Sequence, residues 1–326
     1  MTIHIDNTPI TPLEGESILE CALRLGIHIP SMCCVRTYKH APSCMVCMVR
    51  DERTGAMMPA CSTFPEDGMR IDASSGEVLE MRRLALELLL SDHRADCEAP
   101  CSTVCPAGLD IEGMLYYFDK GERAASKAII KSAFRAGEPL PCTGTCKRPC
   151  EKVCRRGGVD AHVQIVKIIE TLLSDSSIPS SPSPLGKYTP SPKGRFSSRI
   201  GRFSEEERKR LAGESSSASR CLHCACEKRD GCHLRDLATE LGIRTPSYGV
   251  TSSLPFKVRE HIRGRLYFES AKCIHCGLCV YNTVDAFTFK GRGFGMQVVL
   301  PEESRTHVDE SIAALCPTGA LSLSRE

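Results

Sequence analysis

The chain has 326 residues with 21 cysteines, no tryptophan and a formal net charge of +2. A near-neutral balance removes the global basic field that nucleic-acid binding would need, and it also lacks the acidic excess of many small ferredoxins. The cysteines fall in tight groups, and Met1 to Asp6 carries neither the basic n-region nor the apolar h-region of an export signal. Reduced, metal-ligating thiols in a cytoplasmic protein are therefore expected rather than disulfides.

In chain order, Thr2 to Ile10 alternates like a short hairpin and Ser17 to Leu25 has helical apolar spacing, as at the start of a small β-grasp domain. Gly76 to Leu90 is predicted as a helix leading into the next cysteine group. Its apolar run, Leu84 to Leu90, is far shorter than the roughly 20 residues a bilayer demands, so no membrane insertion is expected. Leu109 to Ala136 and Val163 to Leu173 again show helical periodicity between cysteine-rich turns. From Ser174 to Ser219 the composition shifts to Ser, Pro, Lys and Arg. Lys187 to Arg220 holds nine basic against four acidic residues with few aromatics, which reads as a solvated linker rather than an RNA contact. The fold class expected is α+β. Its parts are a β-grasp domain (1–78), an α-helical domain (79–173), the linker (174–219) and a small α+β domain with two cysteine groups (220–326).

Cys33, Cys44, Cys47 and Cys61 have the spacing C-x10-C-x2-C-x13-C, in which a rigid loop and outlying thiolates can enclose a two-iron rhomb. Zinc sites more often use shorter, more regular intervals. With the flanks Ile29-Pro-Ser-Met-Cys33, Cys44-Met-Val-Cys47 and Pro59-Ala-Cys61, residues 1–93 resemble the 2Fe-2S domain of the complex I large iron-sulfur subunit and iron-only hydrogenases. Cys21 and Cys34 match no ligand position and read as packing residues.

Between Cys97 and Cys154 lie seven cysteines in two knots. Cys101-Ser-Thr-Val-Cys105-Pro and Cys146-Lys-Arg-Pro-Cys150-Glu-Lys-Val-Cys154 resemble the helical two-cluster domain of glutamate synthase small subunits and dihydropyrimidine dehydrogenase. The resemblance implies one 4Fe-4S cluster on Cys97, Cys101 and Cys154 and a second on Cys105, Cys146 and Cys150, each lacking a ligand. Arg94 stands where the family places the first missing cysteine. His93-x3-Cys97 looks like the histidine-ligated motif of the complex I relatives, so His93 is the candidate fourth ligand, against a plain role as a helix cap. For the second cluster Ile169 is in register with the family's oxygen ligand, which leaves Cys142 or Glu170.

Cys273-Ile-His-Cys276-Gly-Leu-Cys279 with the remote Cys316-Pro317 is a turn that wraps a cubane, and Asn282 replaces a second-cluster cysteine, so a single 4Fe-4S cluster is expected. With Gly291-Arg-Gly-Phe294 and Cys316-Pro-Thr-Gly-Ala-Leu321, residues 265–324 resemble the ferredoxin module of hydrogenase and complex I subunits. Cys221, Cys224, Cys226 and Cys232 form a further metal site, for which 4Fe-4S is favoured over zinc by its company.

No dinucleotide fingerprint or phosphate loop is present, so no flavin or nucleotide is expected on this chain. The chain stops shortly after Leu321, where hydrogenase relatives continue, so no hydrogen chemistry is expected either. These features describe a non-catalytic electron-transfer subunit with one 2Fe-2S and three to four 4Fe-4S clusters. It would sit in a hetero-oligomeric cytoplasmic oxidoreductase, relaying single electrons between a flavoprotein handling NAD(P)H and a catalytic subunit or ferredoxin. The alternative is a zinc-stabilised structural or nucleic-acid-binding scaffold.

Overall fold

The computed structural model describes residues 1–134, 142, 144, 146–179, 203–213, 217–228, 231–243, 248 and 259–324. Most of the basic stretch from Lys187 to Arg220 lies outside these. The chain mixes helix and sheet and divides into two compact units, Met1–Arg94 with Glu227–Glu326, and Ala95–Cys226.

The N-terminal part begins with β1 (Ile3–Ile5) and β2 (Thr8–Ile10), paired antiparallel with Ile3 opposite Ile10. Their two-residue turn places Asp6 and Asn7 at φ 45° and 65°, the left-handed pair that matches strand twist. Helix α1 (Ile18–Arg24) follows, closed by a reciprocal capping box in which Glu20 N–H donates to Ser17 Oγ (3.3 Å) and Ser17 N–H donates to Glu20 Oε2 (2.9 Å). Then come β3 (Met48–Asp51), β4 (Met57–Pro59) and β5 (Arg70–Asp72), giving a five-stranded sheet of order β2-β1-β5-β3-β4 in which β1 and β5 are parallel. The inward residues Ile3, Ile5, Val49 and Ile71 pack with Ile18, Cys21 and Ala22 of α1, as the period of two predicts. Helix α2 (Gly76–Asp92) packs on β3 and buries Val78, Arg82, Leu86 and Leu90, while Leu79, Met81, Leu84 and Leu88 stay exposed. Its buried face is thus an i, i+4 stripe with an arginine in it.

The second unit is helical among its described residues, with α3 (Pro100–Thr103), α4 (Ile111–Asp119), α5 (Arg123–Ala133), α6 (Pro149–Lys152), α7 (Ile165–Ser174) and α8 (Glu205–Gly213). Asp110 caps α4 by accepting from Gly113 N–H (3.1 Å). Gly121, at φ 80°, ends it, so the periodic stretch from Leu109 to Ala136 is broken into two helices. Leu109, Met114, Ile129, Ile130, Ile165 and Ile169 meet in its core. Helix α8 lies within the segment read as a linker, and it is fastened rather than free. Fully buried Arg156 donates twice to Asp160 (2.7 Å each) and once to Leu211 O (3.1 Å), and the Phe203 ring covers Gly158. A Cβ on Gly158 would lie 3.1 Å from that ring. Gly158→Val should therefore lower the unfolding free energy by about 1–3 kcal/mol through overpacking, read as a shifted urea midpoint of the full chain.

The C-terminal part comprises α9 (His233–Glu240), β6 (Arg259–Arg263), β7 (Leu266–Glu269), α10 (Leu278–Tyr281), β8 (Thr288–Lys290), β9 (Gln297–Val299), α11 (Ile312–Leu315) and β10 (Leu321–Leu323). One sheet has the order β10-β7-β6, and β8 pairs with β9 around Gly291 (φ 81°), where a side chain would strike Gly295 O. Leu266, Phe268, Phe287, Val298 and Leu321 form the core under these strands.

Candidate metal centres

The loop leading into β3 supplies Cys33, Cys44 and Cys47, and the turn after β4 supplies Cys61. All four thiols are 5% exposed or less. The sulfurs of Cys44 and Cys61 hold the Cys33 thiol far below its usual range and are themselves pushed up. The Cys61 sulfur lowers Cys47 in the same way. Four buried sulfurs that compete for protons are a donor set that deprotonates readily when metal replaces the protons. The residues fit the two-iron centre expected for them. The Cys61 sulfur also brings the Cys34 thiol down to about 7. Arg82, donating to Met48 O (2.9 Å) from α2, has Cys47 as its foremost anionic neighbour.

At the C-terminal site a cavity is lined by all four of Cys273, Cys276, Cys279 and Cys316 together with apolar Leu278 and Val298. Burial raises Cys276 to about 12 and pushes Cys273 and Cys279 well above the ordinary thiol range, each also feeling its sister sulfurs. Apolar walls around four converging thiols are the chemistry of a cubane cradle. The loop is shaped for it. Gly277 at φ 78° leaves no room for a side chain, whose Cβ would fall 2.6 Å from Tyr281. His275 stands at φ 54° and its N–H donates to Cys273 Sγ (3.4 Å).

The two centres of this unit are neighbours. Ser43 Oγ donates to Cys276 O (3.3 Å), and the Cys276 sulfur feels Cys33. Asn282, at the position of a missing cluster cysteine, pairs its amide with the Lys39 backbone, accepting from N–H (2.9 Å) and donating to O (2.7 Å). His93 also belongs to this unit: it is buried beside Lys272 and Glu269, its Nδ1 makes no hydrogen bond among the described residues, and burial lowers it to about 4.

In the helical unit Cys142 lies among Cys105 and Cys146, and Cys150 among Cys105 and Cys142. Burial raises Cys142 to about 11 and Cys150 to about 12. Glu170 is exposed and Ile169 is a core residue. Cys101 is buried, and burial followed by the sulfurs of Cys221, Cys224 and Cys154 raises its thiol well above the ordinary range. Cys97 and Cys226 are joined through the backbone, Cys226 N–H donating to Cys97 O (3.3 Å). Cys221, Cys224 and Cys226 belong to the helical unit and Cys232 to the other, while Cys97, Cys101 and Cys154 belong to the helical unit and His93 does not. Sequence spacing gave no sign of the link between Cys101 and the Cys221 turn, nor of Cys34 beside Cys61. Nor did it single out Arg82, which shares the buried face of α2 with Val78 and Leu86.

Residues 1–76 match the family of 2Fe-2S iron-sulfur cluster binding domains, and residues 262–326 match the divergent 4Fe-4S mono-cluster family. The chain is thus an iron-sulfur protein. Its relatives include subunits of an NADP-reducing hydrogenase, an NADPH-Fe(3+) oxidoreductase and an NADH-ubiquinone oxidoreductase. It is 40% identical over 102 residues to the NADP-reducing hydrogenase subunit HndD of Solidesulfovibrio fructosivorans, covering 30% of this chain and 17% of that protein. It is 29% identical over 142 residues to the NADPH-Fe(3+) oxidoreductase subunit alpha of Geobacter sulfurreducens, covering 43% of this chain and 16% of that protein. Toward the gamma subunit of the NAD-reducing hydrogenase HoxS of Cupriavidus necator it is 26% identical over 95 residues, 29% of this chain and 40% of that protein. The matches therefore span well under half of these relatives' own length. A crystal structure of an NAD+-reducing [NiFe]-hydrogenase shares the fold with a TM-score of 0.52 at 16% identity, over 99% of this chain and 86% of that chain. Among the described residues no helix is long and apolar enough to cross a membrane.

Proposed function

We propose that the chain is an electron-transfer subunit of a cytoplasmic, hetero-oligomeric oxidoreductase, passing single electrons between a flavoprotein subunit that handles NAD(P)H and a catalytic subunit or ferredoxin. The observation that carries this reading is the adjacency of two cysteine sets in one unit, with Ser43 bonded to Cys276 and Asn282 clasping Lys39. Two one-electron centres on adjoining loops form a conductor, whereas a structural zinc scaffold has no use for such proximity. Clusters held there would supply one-electron oxidation and reduction.

On this reading Cys33, Cys44, Cys47 and Cys61 hold a 2Fe-2S cluster in a β-grasp domain of residues 1–78, supported by the five-stranded sheet with α1 against it. Cys273, Cys276, Cys279 and Cys316 hold a 4Fe-4S cluster in a ferredoxin-like domain of residues 220–326. In the helical domain of residues 79–173 a further cubane rests on Cys105, Cys146, Cys150 and Cys142, the last chosen over Glu170 because it lies with the other three. Another includes Cys101 and Cys154. The protein total is one 2Fe-2S and three to four 4Fe-4S clusters, with flavin and nucleotide bound on partner subunits.

Anaerobic iron, zinc and acid-labile sulfide analysis, with low-temperature EPR after dithionite reduction, tests the reading. A 2Fe-2S signal and overlapping 4Fe-4S signals are expected, with broadening from spin coupling between the two neighbouring centres. Zinc without sulfide would end it.

A further inference from the structure

Resting on the iron-sulfur reading above, we propose that Cys101, Cys154, Cys221 and Cys224 together hold one 4Fe-4S cluster, so that the segment returning from the linker completes a centre begun in the helical domain. Sequence spacing separates these residues into two groups and assigns the second group a site of its own with Cys226 and Cys232.

The first support is the conformation of the Cys221 turn. Cys221-Leu-His223-Cys224 and Cys273-Ile-His275-Cys276 share the pattern C-x-H-C. In both, the histidine adopts a left-handed conformation, φ 46° at His223 and 54° at His275, which non-glycine residues seldom occupy without cause. In both, its N–H donates to the sulfur of the cysteine two residues before, at 3.3 Å in the first and 3.4 Å in the second. An N–H pointed at a cysteine sulfur is a feature of cluster-binding turns, where it stabilises sulfur carrying negative charge. The Cys273 turn lies in the matched 4Fe-4S segment of residues 262–326. The Cys221 turn copies it.

The second support is where that turn is fixed. His223 is held between two carboxylates of α4, Nδ1 against Glu112 Oε1 and Nε2 against Asp119 Oδ2, both at 3.1 Å. Asp119 also accepts from Ser219 N–H (2.7 Å) and Ser219 Oγ (2.6 Å), while Ser219 Oγ accepts from Cys221 N–H (3.1 Å). Glu112 N–H in turn donates to Ser102 Oγ (3.2 Å), next to Cys101. A continuous run of hydrogen bonds thus docks the turn onto the helix that begins beside Cys101. Cys221 packs against the core containing buried Cys101, with Cys154 at its margin. Arg155, adjacent to Cys154 and bonded to both Asp96 oxygens at 3.0 and 3.1 Å, has the Cys224 sulfur as an electrostatic neighbour. Cys224 closes the same turn three residues after Cys221. Four thiols from three separate segments, all in one unit, meet the donor requirement of a cubane without invoking Arg94 or His93.

The test uses the full chain purified anaerobically. In the cluster-loaded protein, Cys101, Cys154, Cys221 and Cys224 should resist iodoacetamide together and become labelled together when iron is removed by chelation, as read by peptide mass spectrometry. The double variant Cys221→Ala/Cys224→Ala should lose about 4 iron and about 4 sulfide while keeping its 2Fe-2S EPR signal, which reports that the chain has folded. If that signal is lost as well, the labelling of the unaltered protein decides. Alkylation of Cys221 and Cys224 in the loaded protein, or full iron in the folded double variant, overturns the inference. Absence of sulfide from the unaltered protein would instead overturn the iron-sulfur reading on which it rests.

Discussion

Lys272→Met is expected to cost the Met1–Arg94 and Glu227–Glu326 unit about 3–5 kcal/mol. Lys272 and Glu269 form an ion pair of 2.8 Å in which the side chains are 3% and 1% exposed. Removing the ammonium leaves the carboxylate in a dry interior facing the more distant Arg259 Nε at 3.9 Å. The penalty belongs to the under-compensated buried carboxylate and not to the pair, so Glu269→Leu combined with Lys272→Met should recover most of the loss. Denaturant unfolding of the cluster-loaded chain, followed by absorbance of the clusters, measures both. The pair sits directly before Cys273 and beside buried His93, so the single variant should also shed the C-terminal cluster faster than the double variant does. Equal midpoints for the unaltered protein and the Lys272 variant would remove the ion pair from any structural role.

Arg82→Met is expected to lower the reduction potential of the 2Fe-2S centre. The guanidinium is 2% exposed, is fixed by Met48 O, and has Cys47 as its foremost anionic neighbour, ahead of Asp6 and Asp72. Reduction adds one negative charge to the cluster, and a buried cation nearby stabilises that charge by an amount on the order of 1–2 kcal/mol. For one electron this corresponds to roughly 40–90 mV. Methionine preserves much of the volume, and Arg82→Lys should retain part of the potential, which separates charge from packing. A redox titration monitored by EPR reads the shift. A potential unchanged in Arg82→Met would mean that solvent or backbone dipoles dominate the field at the cluster.

Much of this architecture was legible from local patterns. Ile3 and Ile5 alternate inward, Ser17 and Glu20 cap α1, and the C-x2-C turns identify loops that present sulfur, because each of these signals depends only on residues near one another in the chain. The groupings Cys33 to Cys61 and Cys273 to Cys316 were readable for the same reason, since spacing records how one loop and its neighbours bring thiols together. The stretch from Gly76 to Leu90 was recognised as helix, yet which of its leucines face inward was not, because that depends on where β3 lies.

By itself, then, the sequence determined that this is a mixed helix-and-sheet iron-sulfur protein with a 2Fe-2S domain at one end and a 4Fe-4S module at the other. Tertiary structure alone decided that Asn282 clasps the Lys39 loop, that Arg82 faces Cys47, and that the Cys221 turn docks on Glu112 and Asp119 toward Cys101. The physical reason is range. Spacing and periodicity encode what a single turn of backbone can do, whereas contacts between groups separated by 100 residues or more, such as Ser219 with Asp119, arise only when cores and loops settle against each other.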